Sequence, residues 1–461
     1  MTFSQNDTKA AVKDGTSRLS RVRRVYFLIT GLYWFATALP MPLLVLIQRR
    51  RGMDLFEIGV LTAIFSITIV ILEVPTGGLA DAWGRRRVSM AAYFVMAASL
   101  LLLAVSGSFA LFAMTFVLYG VGRALISGAL EAWFVDQVLA LGPEEELQRS
   151  LAHGNTVALF SLSTASLAGG FLPKLASGIS LPGGLTGLAL PPAAAAVILL
   201  VTAFLTGRLV TEYRPGTSTT SAAEAGAADH QAEAAATDAG AGTGSIVVQS
   251  LRETVTNPTL LLLASLSLIA GAAISTMETF WQPFFSESLG AGTPTVLFGV
   301  ITAGNFLLAM AGNMLSTPLT RLLGGKPARF AACVQVLRGV FLLFLGLQSS
   351  LLPAVSLFWL AYLAAGATES PHQTLINRNV APERRSAMLS VQSLSTSLGA
   401  FGGGALFGYL AEVSGISTVW IVTSVYLVVS FVLYLRVDAR ESRSERVQHI
   451  AAEADLGTAS S

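Results

Sequence analysis

Several ionisable side chains of this sequence lie inside long apolar stretches, where no water-facing surface is available to them. Each such group costs on the order of 2.5–3.5 kcal/mol at the centre of a bilayer, and it therefore faces protein or water. Side chains of this kind are rare unless they move protons, bind a solute or anchor a helix. They are Glu73, Arg123, Glu131, Asp136, Glu278, Arg338, Glu369 and His372.

Two of these acids occupy equivalent positions in two similar segments. Residues 128–131 read Gly-Ala-Leu-Glu, and residues 366–369 read Gly-Ala-Thr-Glu. A carboxyl group in low dielectric can carry a proton in one conformation and release it in another, so Glu131 and Glu369 are candidates for proton coupling. His372, on the same helix face as Glu369, is expected to share that proton. The alternative is that both acids only hydrogen-bond a neighbouring helix.

The remaining charges have more than one reading. Glu73 is either a third proton carrier or a structural anchor. Arg123 needs an anion, which is Glu73, Glu131 or an anionic substrate. Glu278 lies beside aromatic residues and suits a cationic substrate, unless it meets external water. Arg338 is expected to face the helix bundle or to extend its charge toward the membrane surface.

Aromatic side chains near these charges are candidates for a cavity that takes lipophilic compounds, with packing or an interfacial belt as the alternative. An aromatic face also attracts a cation placed over it, which suits a cationic solute. The candidate cavity residues are Tyr33, Trp34, Arg123, Trp133, Glu278 and Trp281.

The composition requires a membrane environment. Of the 461 residues 53% are hydrophobic and only 12% are charged, with a mean hydropathy of +0.65. A soluble domain carries about 25% charged residues, so this chain has too little charge to cover a water-facing surface. The single cysteine, Cys333, excludes a disulfide framework and a cysteine-based metal site. Because the sequence has no nucleotide-binding loop, basic face or catalytic pairing, we expect no enzyme, nucleic-acid partner or cofactor.

The apolar stretches are long enough to cross a membrane as helices. A span needs roughly 20 apolar residues at a rise of about 1.5 Å to cross about 30 Å of hydrocarbon. The sequence therefore predicts an all-α integral membrane protein with twelve spans. They lie near 24–48, 55–80, 88–106, 109–138, 149–176, 191–209, 258–286, 295–320, 327–348, 351–376, 385–413 and 416–437.

The spans fall into two similar halves, because residues 59–63 and 149–150 recur as residues 299–303 and 385–386. Two six-helix halves in parallel repeat are typical of transporters. The predicted division is an N-terminal tail at 1–23, a bundle at 24–209, a flexible linker at 210–257, a second bundle at 258–437 and a flexible tail at 438–461, with a short helix possible at 441–454.

The basic residues predict the topology. Most of the 29 lysine and arginine residues lie in the tails and even-numbered connections. Basic residues concentrate on the cytoplasmic side, so both termini are expected in the cytoplasm, with the chain multi-pass in the plasma membrane. Residues 49–51, three arginines, are the exception.

The connection between spans 2 and 3 carries a distinctive motif, which reads Gly-Gly-Leu-Ala-Asp-Ala-Trp-Gly-Arg-Arg-Arg at 77–87. We expect a tight loop here, since glycines permit close approach and arginines stay at the cytoplasmic surface. The motif resembles the Gly-x-Leu-Ala-Asp-x-x-Gly-Arg-Arg/Lys signature of the major facilitator superfamily, and the resemblance extends over residues 24–437. The alternative is that its charges only fix the loop. The resemblance implies an inner gate that includes Gly77, Asp81, Gly84, Arg85, Arg86 and Asp136.

Residues 73–81, 128–133 and 377–385 resemble multidrug-type bacterial exporters of that family, although residues 167–173 lack the Gly-Pro pair of drug–proton antiporters. The resemblance implies proton-coupled efflux of small lipophilic or cationic compounds by alternating access, in a monomer of the inner membrane. The expected partners are a small-molecule substrate, protons and the lipid bilayer. The alternatives are an exporter or importer of one metabolite or sugar, and a facilitator-like receptor that does not transport.

Overall fold

The computed structural model describes most of the chain. Its backbone is described for residues 5–141, 144–176, 186–211, 249–290, 293–381 and 384–459. Within these ranges the side chains of residues 5–16, 74, 77, 78, 81, 144, 145, 148, 289, 386, 387 and 444–459 lie outside the description. The described residues form helices and short connections, and they contain no strand.

The helices follow one another along the chain with short connections. Those of the first half are α1 (Gln5–Ala38), α2 (Leu44–Arg50), α3 (Leu55–Trp83), α4 (Arg85–Val105), α5 (Phe109–Ile126), α6 (Ala129–Leu141), α7 (Glu144–Leu175) and α8 (Leu190–Leu209). Those of the second half are α9 (Pro258–Leu289), α10 (Thr295–Leu322), α11 (Pro327–Gly346), α12 (Leu351–Arg378), α13 (Arg385–Ser414) and α14 (Ile416–Ala459).

These helices give the expected membrane bundle of twelve spans. The pair α1 and α2 corresponds to the first predicted span, and the pair α5 and α6 to the fourth. Eleven helices or helix pairs within the described residues are long and apolar enough to cross a membrane. The twelfth, α13, has 30 residues, but its serines and glycines lower its hydropathy.

Two helix starts follow directly from local sequence. At the start of α3 the Asp54 carboxylate accepts from the Glu57 amide at 2.7 Å, and the Glu57 carboxylate accepts from the Asp54 amide at 3.0 Å. This reciprocal pair satisfies amides that the first helical turn leaves free. At the start of α9 the Asn257 side chain accepts from the Thr259 amide at 2.9 Å, and Pro258 occupies the first helical position.

Two of the predicted spans are interrupted. The first is broken between α1 and α2, around Pro40 and Pro42, since proline has no backbone donor. The fourth is broken between α5 and α6, where Gly128 has a φ of 74° that strains any residue with a side chain. The fourth span is therefore not one continuous helix from Arg123 to Asp136.

The loop expected at residues 77–87 is shorter than its motif. Helix α3 continues to Trp83 and α4 begins at Arg85, so Gly84 alone connects them. Gly84 has a φ of 90° and a ψ of 137°, a conformation open mainly to glycine. Most of the motif is therefore helical.

The segment after residue 438, expected as a flexible tail, is helical to Ala459 because it continues α14. Residues 438–459 contain no proline and only one glycine, Gly457, and they are rich in alanine, arginine and glutamate, which favour helix. Residues 5–23, at the other end, are also helical. Of the predicted linker, residues 212–248 lie outside the described residues, whereas residues 249–256 are helical.

The chain divides into two compact units that exchange two short segments. Unit 1 is Met1–Met53, Ile64–Ser245 and Gly292–Ala303, and unit 2 is Asp54–Ala63, Ile246–Ala291 and Gly304–Ser461. Each unit holds most of one half, but the starts of α3 and α10 belong to the unit of the other half. These starts contain the repeat-related residues 59–63 and 299–303, so the exchange follows the repeat.

Small residues allow each exchanged segment to pack closely in its unit. In unit 2, a methyl group on Gly59 would overlap the carbonyl of Gly404 in α13. In unit 1, a Cβ on Gly299 would lie 2.7 Å from the carbonyl oxygen of Ser166 in α7 and 3.1 Å from the Cα of Gly170. Glycine permits such close helix contacts within a membrane. Both exchanged segments thus pack through close contacts between small residues.

The arginines at 49–51 have a structural explanation. The Arg51 guanidinium donates to the carbonyl oxygens of Ser106 at 3.1 Å and Ala104 at 3.5 Å, at the C-terminal end of α4. The Arg49 guanidinium donates to the Met53 carbonyl at 3.2 Å. A cation at a helix C-terminus is favoured by the free carbonyls and the helix dipole. These local contacts account for an exception to the charge bias.

Five helices of unit 2 pack around one buried cluster, next to the candidate site. Helix α11 packs against α12 and α14, and α9 packs against α13. One buried cluster joins all five through Leu263, Ala331, Leu375, Val391 and Tyr434. In a membrane, van der Waals packing holds such a cluster together. The polar side chains next to it are consequently held at fixed positions.

Candidate functional site

A cleft of about 160 Å³, lined by both polar and apolar residues, lies within unit 2. Helices α9, α11, α12, α13 and α14 all contribute to its lining. Pockets that bury a drug-sized molecule are larger, about 300–1,000 Å³, so this cleft suits a small solute or the polar end of a larger one. Its polar residues include Ser267, Gln335, Arg338, Glu369, His372 and Gln392.

Arg338 is buried at the side of this cleft, with 3% of the residue exposed. Its Nη2 atom lies 3.1 Å from the sulfur of Met277, a weak acceptor. Its Nε atom has no protein hydrogen-bond partner among the described atoms. The ion pairs of the described residues do not include Arg338. Among the described residues, no carboxylate therefore pairs with this charge.

His372 is also buried, and both of its ring nitrogens are hydrogen-bonded. Its Nε2 lies 2.9 Å from the Ser267 hydroxyl, and its Nδ1 lies 3.0 Å from the Tyr434 hydroxyl. A neutral imidazole donates from one nitrogen and accepts at the other, and two hydroxyls can satisfy either arrangement. His372 thus links α9, α12 and α14.

Glu369 is exposed and lines the same cleft. Its carboxylate accepts from the Gln373 side-chain amide at 3.3 Å. The expected proton-sharing contact with His372 is not formed in the described structure, because two hydroxyls occupy the imidazole. The repeat-related Glu131, in the first turn of α6, is exposed as well. Both acids are accordingly accessible to lipid or an aqueous cavity.

In unit 1, Arg123 is half-buried and contacts aromatic residues. It donates to the Tyr33 hydroxyl, and its guanidinium carbon lies 5.9 Å from the Tyr33 ring centroid and 5.4 Å from that of Trp34. The expected ion pair with Glu73 or Glu131 does not occur in the described structure. Glu73 is half-buried and acts on Arg123 by longer-range electrostatics.

Two of the aromatic candidates are packed in the interior of their units. Trp133 is buried, and its indole donates to the Thr211 carbonyl at 3.0 Å. Trp281 is buried and stacks on Phe358, with a centroid distance of 5.9 Å and an interplanar angle of 26°. These contacts are those of packed side chains. Glu278, one turn before Trp281, is exposed.

Part of the predicted gate comes together in unit 1. The Arg85 guanidinium forms an ion pair with the Asp136 carboxylate, and 62% of the Asp136 side chain is exposed. Arg86 is exposed beside it. The Asp81 side chain and Gly77 lie outside the residues that the structure describes in full. The gating role of this set stays a prediction.

Sequence reasoning missed the neutral polar residues of the cleft. Gln335, Gln392, Ser267 and Tyr434 carry no charge, so a search for charged residues in the spanning helices does not find them. The spacing of Gln335 and Arg338, three residues apart on one helix face, is the one local indication. Among the described residues, no group of three or more His, Cys, Asp or Glu could hold a metal ion.

Comparison with known proteins agrees with this helical architecture. A sequence profile of the Major Facilitator Superfamily matches residues 26–346 and 295–452. The chain belongs to this superfamily. The protein is therefore a membrane transporter and not an enzyme.

Individual relatives are distant. The chain is 20% identical to an uncharacterized MFS-type transporter, YxaM, of Bacillus subtilis (strain 168), over 92% of this chain and 98% of YxaM. A bacterial homolog to the human lysosomal transporter Spinster, in an inward-facing and unoccupied conformation, has a TM-score of 0.71 at 16% identity, over 91% of this chain and 97% of that protein. The nucleoside transporter NupG has a TM-score of 0.67 at 15% identity, over 91% and 98%. The two solved structures support a shared fold.

Proposed function

We propose that this superfamily member is a proton-coupled exporter of small organic compounds that works by alternating access. The observation that carries the proposal is Glu369, an exposed carboxyl group of a spanning helix that lines the cleft of unit 2. An acid in a spanning helix costs on the order of 2.5–3.5 kcal/mol at the bilayer centre, and function is the usual reason for its retention.

Proton coupling follows from a change of surroundings. A carboxyl group binds a proton in the state in which its surroundings are apolar, because the charged form is disfavoured there. It releases the proton in the state in which its surroundings are more polar. Glu369, Glu131 and Glu73 carry the proton in this proposal. The export direction is supported by the sequence resemblance to multidrug-type exporters.

The gate in this proposal includes the ion pair of Arg85 with Asp136. Exposed ion pairs contribute only about 0–1 kcal/mol, so such a contact can break and form again during each cycle. Asp81 belongs to the same gate by its position in the motif. The expected effect of Asp81→Asn is slow turnover with nearly unchanged substrate affinity, measured as the rate and concentration dependence of transport.

The lining of the cleft favours a second candidate, which is transport of one polar solute. Side chains such as Gln335 and Gln392 offer hydrogen bonds, and a site of this kind discriminates against compounds that leave buried polar groups unpaired. A broad range of lipophilic compounds would leave them unpaired. NupG, with the same fold, is a nucleoside transporter.

Purified protein in liposomes, with a pH-sensitive dye inside and an imposed proton gradient, tests the proposal. Cationic dyes, antibiotics, sugars and amino acids are added in turn, and proton movement is recorded for the native chain, Glu369→Gln and Glu131→Gln. The control is Glu287→Gln, which removes an exposed acid at the end of α9.

Proton movement evoked by lipophilic compounds, and lost in Glu369→Gln but not in the control, supports proton-coupled export of such compounds. A response to one polar solute alone favours the second candidate. Solute movement that persists without a proton gradient and is unaffected by either acid substitution rules out proton coupling.

A further inference from the structure

The cleft of unit 2 contains two opposite charges that do not neutralise each other. Arg338 makes no ion pair with a described carboxylate, and Glu369 makes none with a described cation. Both line the same cleft of about 160 Å³. Within a membrane an uncompensated charge is expensive, so each is expected to meet an opposite charge during the transport cycle.

Two further polar groups of the cleft each have one atom without a partner among the described residues. The Oε1 atoms of Gln335 and Gln392 are buried and have no protein hydrogen-bond partner among the described atoms. Each side-chain amide offers both a donor and an acceptor, so this feature holds whichever way the amide is oriented. Gln335 lies one helical turn before Arg338 on α11. The cleft that Arg338 lines therefore also offers amide groups that can bind the polar atoms of a solute.

We propose that this cleft binds a small zwitterionic solute of the amino-acid type. The planar guanidinium of Arg338 matches the geometry of a carboxylate, with which it forms paired hydrogen bonds. The Glu369 carboxylate takes the ammonium group of the solute, and the glutamine amides bind its remaining polar atoms. The inference rests on the proposed transport function, because it names the class of solute transported.

The assignment also explains how such a solute would be exchanged for a proton. Glu369 can bind either the ammonium group or a proton, since both need the same carboxylate. Arrival of a proton therefore releases the solute, and arrival of the solute releases the proton. A carboxylic-acid solute without an amino group would not compete with the proton for the Glu369 carboxylate. A lipophilic cation would supply no anion to Arg338.

The test uses purified full-length protein and three matched probes, phenylalanine, phenylalaninamide and N-acetylphenylalanine. The amide lacks the anion and the acetyl derivative lacks the cation, while the side chain stays the same. Corresponding sets of leucine and glutamine cover other shapes. Equilibrium binding is measured in detergent, without a proton gradient, by calorimetry and by the shift in Tm. Inorganic phosphate is included as a simple anion.

The zwitterion of at least one set is expected to bind ten- to a hundredfold more tightly than its two derivatives. Arg338→Gln should remove the preference over the amide only, and Glu369→Gln the preference over the acetyl derivative only. Arg338→Lys keeps the charge without the planar fork and should retain part of the first preference. The controls Arg321→Gln and Glu287→Gln, which remove exposed charges at the ends of α10 and α9, should change neither.

The inference is overturned if no zwitterion binds, if only inorganic phosphate binds, or if both preferences survive in the two variants. Because Glu369 is exposed, its variant remains informative even where Arg338→Gln fails to fold. Proton movement evoked by dyes, without zwitterion binding, would leave the proposed function intact and reject this inference alone. Zwitterion binding with both preferences but without proton movement would reject proton coupling instead.

Discussion

Arg123 and Arg338 are both arginines of spanning helices, but the two units surround them differently. Arg123 is half-buried, donates to the Tyr33 hydroxyl and lies over the faces of Tyr33 and Trp34. Arg338 is buried and contacts the Met277 sulfur, while its Nε has no protein partner among the described atoms. Unit 1 satisfies its arginine with its own aromatic residues, whereas unit 2 leaves its arginine available.

This difference indicates different roles for the same residue type. Aromatic faces stabilise a cation by about 0.5–1 kcal/mol at exposed sites and by about 2 kcal/mol or more when desolvated. Such contacts persist without a ligand, so Arg123 is expected to stabilise unit 1. A buried cation that lacks such contacts destabilises its own fold, and this cost is offset when an anion binds. Arg338 is therefore expected to act in binding.

The largest expected effect is that of Arg338→Gln on transport. Removal of one partner of a buried charge pair costs about 2–5 kcal/mol, so substrate-evoked transport should fall by roughly 30-fold or more. The Tm of the substrate-free protein should stay the same or rise, because an isolated buried charge is lost. Transport in liposomes and thermal unfolding measure the two effects. A large drop in Tm with transport retained would assign Arg338 a structural role like that of Arg123.

Arg123→Gln should show the opposite pattern. Loss of the Tyr33 hydrogen bond and of two aromatic contacts should lower the free energy of unfolding by about 1–3 kcal/mol. Arg208→Gln is the matched control, since Arg208 lies 5.3 Å from the centroid of one ring only, that of Phe204, and a loss of about 0.5–1 kcal/mol is expected there. Denaturation in mild detergent measures both. Equal losses in the two variants would contradict the structural role of Arg123.

A smaller effect is expected for Tyr434, a buried residue that lines the cleft. Tyr434→Phe removes the hydroxyl 3.0 Å from Nδ1 of His372 and keeps the ring. One hydrogen bond contributes about 0.5–1.5 kcal/mol to the free energy of unfolding. Thermal unfolding should detect this loss, with Tyr409→Phe, at an exposed tyrosine, as the control. If stability is unchanged but binding is lost, Tyr434 belongs to the binding site and not to the support of His372.

The smallest effect is expected for the ion pair of the motif. A double-mutant cycle of Arg85→Ala and Asp136→Ala should give a coupling of about 0.2–1 kcal/mol in the free energy of unfolding, because the pair is exposed. The same two substitutions should slow transport, since the gate is proposed to depend on the pair. A coupling well above 1 kcal/mol would place this pair with the structural contacts of unit 1.

The sequence predicted the family and the fold class correctly, since a motif and a hydropathy profile are local features. Residues 77–87 carry the motif, and the sequence profile of the superfamily confirms the assignment. The partners of the charged residues were harder to predict. A carboxylate was expected beside Arg123, whereas the structure supplies Tyr33 and Trp34. Proton coupling, export and the gate stay predictions.

The sequence alone determined that this protein is a helical membrane transporter built from two similar halves. Apolar length decides whether a segment spans a bilayer, and similarity between segments such as 59–63 and 299–303 decides the repeat. Tertiary structure alone decided which polar groups meet. Ser267, His372 and Tyr434 come from three helices far apart in sequence, and the cleft exists only because those helices pack together. Hydrogen bonds and uncompensated charges depend on distances in space, which no local pattern encodes.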